Sequence, residues 1–358
     1  MQGEVGVTAV EHEGRKGMLG KFWRKSILLG VVAALGTMAG TVKSPAQSAA
    51  QPQIFRIDTA SKAGTFYPIG SLIAQGITEG GDCGDEDGCG VKGVIAIAQV
   101  SNGSVANVGS VSTGSVEAGL AQADVIYWAY NATERFAGEE PLRNLRAVAN
   151  LYPGSLHIVT AADSEITRVE DLRGKRVALD EPGSGTLATA ELILAASGIG
   201  KNDLSPLYIK HNHAGPMLAK GELDAFFFVA GFPTASVLEV AKTTPIRLVP
   251  LSDQIIAELS VERPYLAPGV IPTGAYPGVD ADVATVDIGT QLIMRADLDA
   301  GLVRNILGAM WNGRTRKLLD EGHPKGSQVK LETAIKGIAI PLHEGAVQFY
   351  REAGLSVE

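Results

Sequence analysis

Between Lys175 and Gly198 a short apolar run passes into a helix through Pro182-Gly-Ser-Gly-Thr186, and this junction restricts the fold more than any other stretch. Val177 to Leu179 read as a buried strand, while Leu187, Ala190 and Leu194 recur at i, i+3 and i+7, the spacing of one helix face. Gly198 then stops the helix. Gly183 and Gly185 let backbone N–H groups approach a ligand closely, and first-turn amides carry about half a positive charge, so a carboxylate or phosphate is favoured there. Ser184 and Thr186 add hydroxyl donors. The same residues also suit a simpler role in which Ser184 caps the helix and the glycines only make the turn. Walker A needs a Lys-Ser/Thr pair after its last glycine, whereas Thr186-Leu187 follows Gly185. A nucleophile elbow needs glycine two residues before its serine, and Pro182 stands there.

The chain has 358 residues, of which 45% are hydrophobic, and a formal net charge of −8, as expected for a soluble globular protein of two domains. Phosphate-backbone binding needs clustered Lys and Arg, and no such cluster appears beyond the first 30 or so residues, so no nucleic-acid partner is expected. Residues 1–50 read as an export signal: Arg15, Lys16, Lys21, Arg24 and Lys25 precede the apolar run Ile27 to Gly40, and Ser48-Ala-Ala50 supplies small residues. Starting at Met18 gives the usual basic n-region directly, so Met18 is the expected true start. The apolar run is too short for a permanent membrane span, and the mature protein is expected in the periplasm as a monomer. In an oxidising compartment Cys83 and Cys89 favour a disulfide, which would pin a short loop by about 2 kcal/mol. The alternative there is a metal site using Asp82, Asp85, Glu86 and Asp87, but the ligand alternation of a calcium loop is absent, so no metal is expected.

Along the mature chain, Ile54 to Ala60 reads as a strand, Gly64-Thr-Phe-Tyr67 as a turn, and Ile69, Leu72, Ile73 and Ile77 as a helix face after Pro68. Val94 to Val100 gives a second strand and Ser101-Asn-Gly-Ser104 a second turn, entering a helix that Gly109 and Gly114 weaken by about 1 kcal/mol each. Leu120-Ala-Gln122 is a third strand end, with Asp124 able to cap the next element. Three strand-to-helix turns, at 64–67, 101–104 and 182–186, are thus rich in Gly, Ser or Thr. Alternating strands and helices imply parallel α/β sheets, whose ligands bind beyond the carboxyl ends of the strands, where such turns collect. Leu145 to Tyr152 reads as a crossing between domains broken by Pro153-Gly154, Thr285 to Ile293 as a second crossing, and the turns as facing each other over a cleft that closes by hinge bending.

Six segments, in order, resemble the TAXI-type solute-binding proteins of tripartite (TRAP) transporters, a branch of the type II periplasmic binding-protein fold. They are Ala63-Gly-Thr-Phe-Tyr-Pro-Ile-Gly70, Ser101-Asn-Gly-Ser-Val-Ala-Asn107, Leu172-Arg-Gly-Lys-Arg-Val177, Gly183-Ser-Gly-Thr186, Gly221-Glu-Leu-Asp-Ala225 and Pro341-Leu-His-Glu-Gly-Ala-Val-Gln-Phe-Tyr-Arg-Glu-Ala-Gly354. The first departs from the family's Gly-Gly-Thr in having Ala63-Gly64. The resemblance implies two α/β lobes around a ligand cleft, 51–152 with 280–358 and 153–279, that capture a small organic acid and deliver it to a TRAP membrane permease without cofactor or catalysis. Carried over by position, Thr65, Tyr67 and Ser104 would serve the first lobe and Gly183, Ser184, Gly185 and Thr186 the second. Ser101, Asn102 and Gly103 share the turn of Ser104, and Gln122 ends a neighbouring strand. Gly231-Phe232-Pro233, after the strand-like Ala225 to Val229, reads equally as a ligand contact or as a stiffened turn under a packed Phe.

His211-Asn-His213 lacks the carboxylates and cysteines of a metal site and reads as a solvated turn before Gly215-Pro216. Tyr127, Trp128 and Tyr130 suit ligand stacking and lobe filling equally, and Glu139-Glu140 reads as surface. The pocket motifs contain no carboxylate, so the expected ligand is a small organic anion such as glutamate or 2-oxoglutarate, with the Thr186 hydroxyl donating to it. A periplasmic sensor, or an enzyme on the same fold, is the competing class, since fold alone fixes no function.

Overall fold

The computed structural model describes residues 51–78, 80 and 90–357. The expected export signal and the Cys83/Cys89 pair with its acidic neighbours lie outside those residues. The chain opens as β1 (Gln53–Asp58), α1 (Phe66–Ile77), β2 (Val94–Gln99), α2 (Ser104–Ser112), β3 (Ala118–Gln122) and α3 (Ala123–Asn131). A long strand β4 (Leu145–Ala161) leads to β5 (Arg176–Ala178), α4 (Gly185–Ala196), β6 (Ser205–Leu207), α5 (His211–Ala219), β7 (Ala225–Ala230), α6 (Ala235–Thr243), β8 (Ile246–Leu248), α7 (Asp253–Glu262) and β9 (Leu266–Ile271). A second long strand, β10 (Val283–Arg295), returns to α8 (Ala300–Met310), α9 (Gly313–Gly322) and α10 (Glu344–Glu352).

Apolar alternation explains the outer strands. In β2, Val94 and Ala96 are buried while Ile95 and Ile97 face out. In α1, Ile69, Ile73 and Ile77 are fully buried along one stripe. The helix starts two residues before Pro68, earlier than its sequence suggests, because a first-turn residue has no intrahelical acceptor for an N–H and proline loses nothing there.

The strands run in the order β2-β1-β3-β10-β4-β7-β5-β6, with β8 beside β4 and β9 beside β10. β1 is parallel to β2 and β3, and β5 to β6 and β7, so each end of the sheet is built of strand–helix units. Between them β4 and β10 run antiparallel from Leu145↔Arg295 to Ser155↔Asp287. These are the two crossings. Pro153-Gly154 does not break β4: a register shift between Thr290 and Gln291 leaves Leu151 as an extra residue beside it, and proline is tolerated at such bulges. The first-lobe core joins Phe55, Ile57, Leu120, Leu292 and Met294 to Val303, Ile306, Leu319 and Tyr350 of the C-terminal helices. The second lobe packs Leu156, Ile158, Val177, Ile193, Phe227, Val286 and Ile288. The result is two α/β lobes with a cleft between them.

The lobes touch along α4. Ala188 is buried among first-lobe residues Val108, Val125, Ile126 and Trp128, with Leu192 against the same group. Trp128 Nε1 donates to Tyr265 Oη at 2.7 Å, and Thr189 Oγ1 donates to Asp124 Oδ2 at 3.0 Å. Asp124 sits at the second position of α3 rather than at its cap, and also accepts from Val125 N at 2.7 Å. Burial pushes this carboxyl up to about 6 from 3.8, opposed by those hydrogen bonds.

Because its folded pKa lies above its unfolded one, Asp124 favours the folded state fully below pH 4 and loses that contribution as pH rises through 6. The loss is on the order of 3 kcal/mol. Asp124→Asn should therefore gain stability relative to wild type between pH 4 and pH 8 in urea unfolding; a difference that stays constant with pH would refute the assignment.

Candidate functional site

Four strand-to-helix turns meet at the carboxyl ends of the parallel strands. The residues that begin α1 (Thr65, Phe66), α2 (Gly103, Ser104), α4 (Ser184, Gly185) and α5 (Lys210, His211) all line one pocket, whose cavity is ≈ 40 Å³. A single water needs about 10–15 Å³, so the occupant must be compact. The first amides of each helix have no intrahelical acceptor, and each helix end carries roughly half a positive charge. Lys210 adds a full one; its ammonium pairs with Glu181 at 2.7 Å and reaches Asn102 Oδ1 of the opposite lobe at 3.4 Å.

On the first-lobe side Asn102, Gly103, Ser104 and Gln122 all reach the pocket. Gln122 N donates to Ser104 Oγ at 3.1 Å, and Gln122 Nε2 donates to Thr189 Oγ1 at 3.0 Å, so the glutamine is held by both lobes. Gly103 adopts φ 110°, which only glycine holds without strain.

On the second-lobe side Ser184 caps α4, accepting from Thr186 N at 3.0 Å, as the simpler reading of the junction has it. Thr186 Oγ1 accepts from Val229 N of β7 at 3.1 Å. The two turns face each other between the lobes. They touch: Ala106 N donates to Gly183 O at 3.0 Å, and a Cβ at Gly185 would lie 2.0 Å from Gln122 Oε1 and 2.7 Å from Ser104 Oγ. Glycine is required here for two helix starts to meet.

Other expected residues are placed elsewhere. Tyr67 lies outside the pocket with Lys62 Nζ 5.4 Å above its ring, because one step along a helix turns the side chain about 100° away from its neighbour Phe66. Ser101 also lies outside: its hydroxyl accepts from Gly103 N at 3.0 Å and sits within bonding distance of Thr59 O and Asn107 Oδ1, holding the turn in shape. Thr65 lines the pocket, yet its hydroxyl donates to Gly231 O at 3.1 Å, a tie between lobes. Gly231, Phe232 and Pro233 do not line it; the buried Lys325 packs over Gly231 and puts its ammonium 3.9 Å from the Phe232 ring, which is the packed-turn reading. Gly183 stands just behind the pocket wall, its absent Cβ 3.1 Å from Asn102 Cβ. Trp128 is fully buried and Tyr130 stacks under Arg143 at 4.5 Å, so these aromatics fill the first lobe.

The structure adds Asp180, Lys210, His211 and Phe228 to the pocket. His211 is not a solvated turn: it is 4% exposed, stacks on Phe228 at 3.7 Å, and leaves Nδ1 without a partner. Burial, then Lys210, pushes its pKa down to about 3, so the ring is neutral. Nor is the pocket free of carboxylates. Asp180, 6% exposed, takes the left-handed φ of 74° at the end of β5, and burial pushes it up to about 6. A Pro-flanked Asp-Glu pair after a strand is the signal the sequence offers for Asp180, and His211 has none, since its ring partner is distant in sequence. Among the described residues no group of three or more His, Cys, Asp or Glu is placed to hold a metal, and no helix is long and apolar enough to cross a membrane.

The chain is similar in structure to the periplasmic aliphatic sulphonate binding protein SsuA from Escherichia coli (14% identity, 84% of this chain and 83% of that one, TM-score 0.42). It is likewise similar to the alkanesulfonate-binding protein SsuA from Xanthomonas axonopodis pv. citri bound to MOPS (17% identity, 85% of each chain, TM-score 0.45). A third is the binding protein component of an ABC phosphonate transporter from Pseudomonas aeruginosa (12% identity, 78% and 80%, TM-score 0.44). The model of the NMT1-like family matches residues 57–354, nearly the whole described chain, and the protein therefore belongs to the NMT1-like family.

Proposed function

We propose that this protein is a periplasmic solute-binding receptor that captures a small organic anion, such as a dicarboxylate or an acidic amino acid, and hands it to a membrane permease of the TRAP type. The observation that carries the reading is the convergence of four helix N-termini on one small pocket, with Lys210 beside them. Positive helix ends stabilise an anion there without further machinery. The permease rests on the resemblance of the six sequence segments. No catalysis is part of the reading: the pocket's imidazole, His211, stacks on Phe228 instead of meeting a hydroxyl.

Capture by closure is supported by the contacts between lobes. The donors come from both lobes, and α2 and α4 meet only when the lobes touch. Calorimetric titration against organic acids, alkanesulfonates, neutral amino acids and neutral sugars should show tight binding confined to molecules with an anionic group. Tight binding of a sugar would sink the proposal.

Gly185→Ala introduces a methyl group 2.0 Å from Gln122 Oε1, so it should hold the lobes apart while leaving α4 intact. Overpacking of this kind costs typically about 1–3 kcal/mol, a loss of roughly five- to a hundredfold in affinity. Small-angle scattering should show wild type contracting at saturating ligand and the variant contracting less; equal contraction and equal affinity would remove closure from the account.

A further inference from the structure

A second concavity lies outside the anion pocket, in the groove between α5 and α6, and the two share only His211. The helices touch where Gly215 meets Val240, so closely that a Cβ on the glycine would lie 2.3 Å from Val240 Cγ2. Around that contact the lining is mostly small or apolar, and it includes Ala219 of α5 and Ala235 of α6, both exposed. A further wall is Ala63 of the first lobe, whose carbonyl accepts from Thr234 Oγ1 at 3.1 Å and from Ser236 N at 3.3 Å. The cavity is ≈ 460 Å³, inside the roughly 300–1,000 Å³ of small-molecule sites. Lys220 and Glu239 line it with opposite charges, so the groove calls for no net charge in its occupant. Two of its residues bury a polar atom that has no partner among the described residues: Nδ1 of His211, 4% exposed, and Oγ of Ser236, 6% exposed. Buried polar atoms left unpaired are costly, and few are found in folded proteins.

We infer that the groove between α5 and α6 is a second binding site, for a neutral, largely apolar small molecule that carries a hydroxyl group. The walls set the apolar body, and the balanced charges of Lys220 and Glu239 set the neutrality. The hydroxyl follows from the two unpaired atoms. A serine hydroxyl both donates and accepts, while an imidazole nitrogen does one or the other according to its tautomer. A hydroxyl on the occupant answers each of these combinations, whereas a carbonyl oxygen can only accept. The site goes beyond the anion-receptor reading and does not rest on it, since the starts of α2 and α4 and the Lys210 side chain take no part in its lining.

Ligand-observed NMR titration with neutral probes of matched size tests it: phenol with toluene, and benzyl alcohol with ethylbenzene. Wild type should bind each alcohol with a Kd of about 1 mM or tighter, and about three- to tenfold more tightly than the matched hydrocarbon. Ala219→Leu and Ala235→Leu fill the groove from opposite helices. Both positions are exposed and leucine is a good helix former, so urea unfolding should stay as in wild type while each variant weakens both alcohols about tenfold or more. Ser236→Ala should narrow the preference for the alcohol over the hydrocarbon. Absence of binding by both alcohols in the millimolar range overturns the inference, and so does equal affinity within each pair. Full affinity in both leucine variants overturns it as well, by placing the probes elsewhere; a loss confined to Gly185→Ala would put them in the anion pocket.

Discussion

The antiparallel pairing of β4 with β10 is the constraint on which the rest of the structure depends. Both lobes grow from this one ladder: Leu151, Leu292 and Met294 belong to the first core, Leu156, Ile158, Val286 and Ile288 to the second. The handover falls at Pro153-Gly154 opposite Ile288 and Gly289, where one residue offers no amide and two no side chain. A ladder is stiff along its strands and weak where its rungs are interrupted, so the closure proposed above would bend at the bulge near Thr290. Because the parallel strands of the two lobes run in opposite directions along the ladder, ending at Gln122 opposite Thr290 and at Ala230 opposite Ser155, their carboxyl ends face each other at its middle and their turns are delivered to one pocket.

Bringing four helix N-termini together is unfavourable in itself, since their positive ends repel. The structure meets this with close glycine contacts at 103, 183 and 185, and with carboxylates that have been taken out of water. Asp124 accepts from the α3 backbone and from Thr189 of the other lobe, while Asp180 accepts beside the start of α4. Burial raises both acids toward 6, so each is held less firmly charged than an exposed carboxylate. The compensation is therefore partial, and under the proposed function an incoming anionic group would complete it. Affinity in such a site comes from relieving repulsion already present as much as from new bonds.

The architecture is legible in the sequence because its signals are local. Apolar alternation marks β2, the 3-4 spacing marks α1 and α4, and the Gly/Ser/Thr turns mark three of the four helix starts that form the pocket. The fourth escapes a sequence reading because His211 follows a short strand with no glycine, and because its burial depends on Phe228 of a neighbouring strand. Asp180 is marked only by its place in a Pro-flanked Asp-Glu pair, since its left-handed backbone is invisible in a residue name. Tyr67 and Gly231-Phe232-Pro233 fail for the opposite reason: they belong to the right turns, but the direction of a side chain is set one residue at a time. Pro153-Gly154 reads as a break because the partner strand that accommodates it lies more than a hundred residues away.

Capping and ligand binding stand as alternatives for Ser184 in the sequence, and the chemistry of a hydroxyl group shows that the observed cap does not preclude the proposed contact. A hydroxyl has one proton to donate and two lone pairs to accept with. Ser184 Oγ accepts from Thr186 N, which fixes the helix start and leaves the hydroxyl its proton to donate. Thr186 Oγ1 accepts from Val229 N, which ties α4 to β7. With one lone pair taken by Val229 N, the Thr186 hydroxyl keeps its proton to donate, on a residue that lines the pocket. Removing its hydroxyl would strip Val229 N of an acceptor as well as the proposed ligand of a donor, so the structural role and the proposed one are separable only by a substitution that keeps the oxygen.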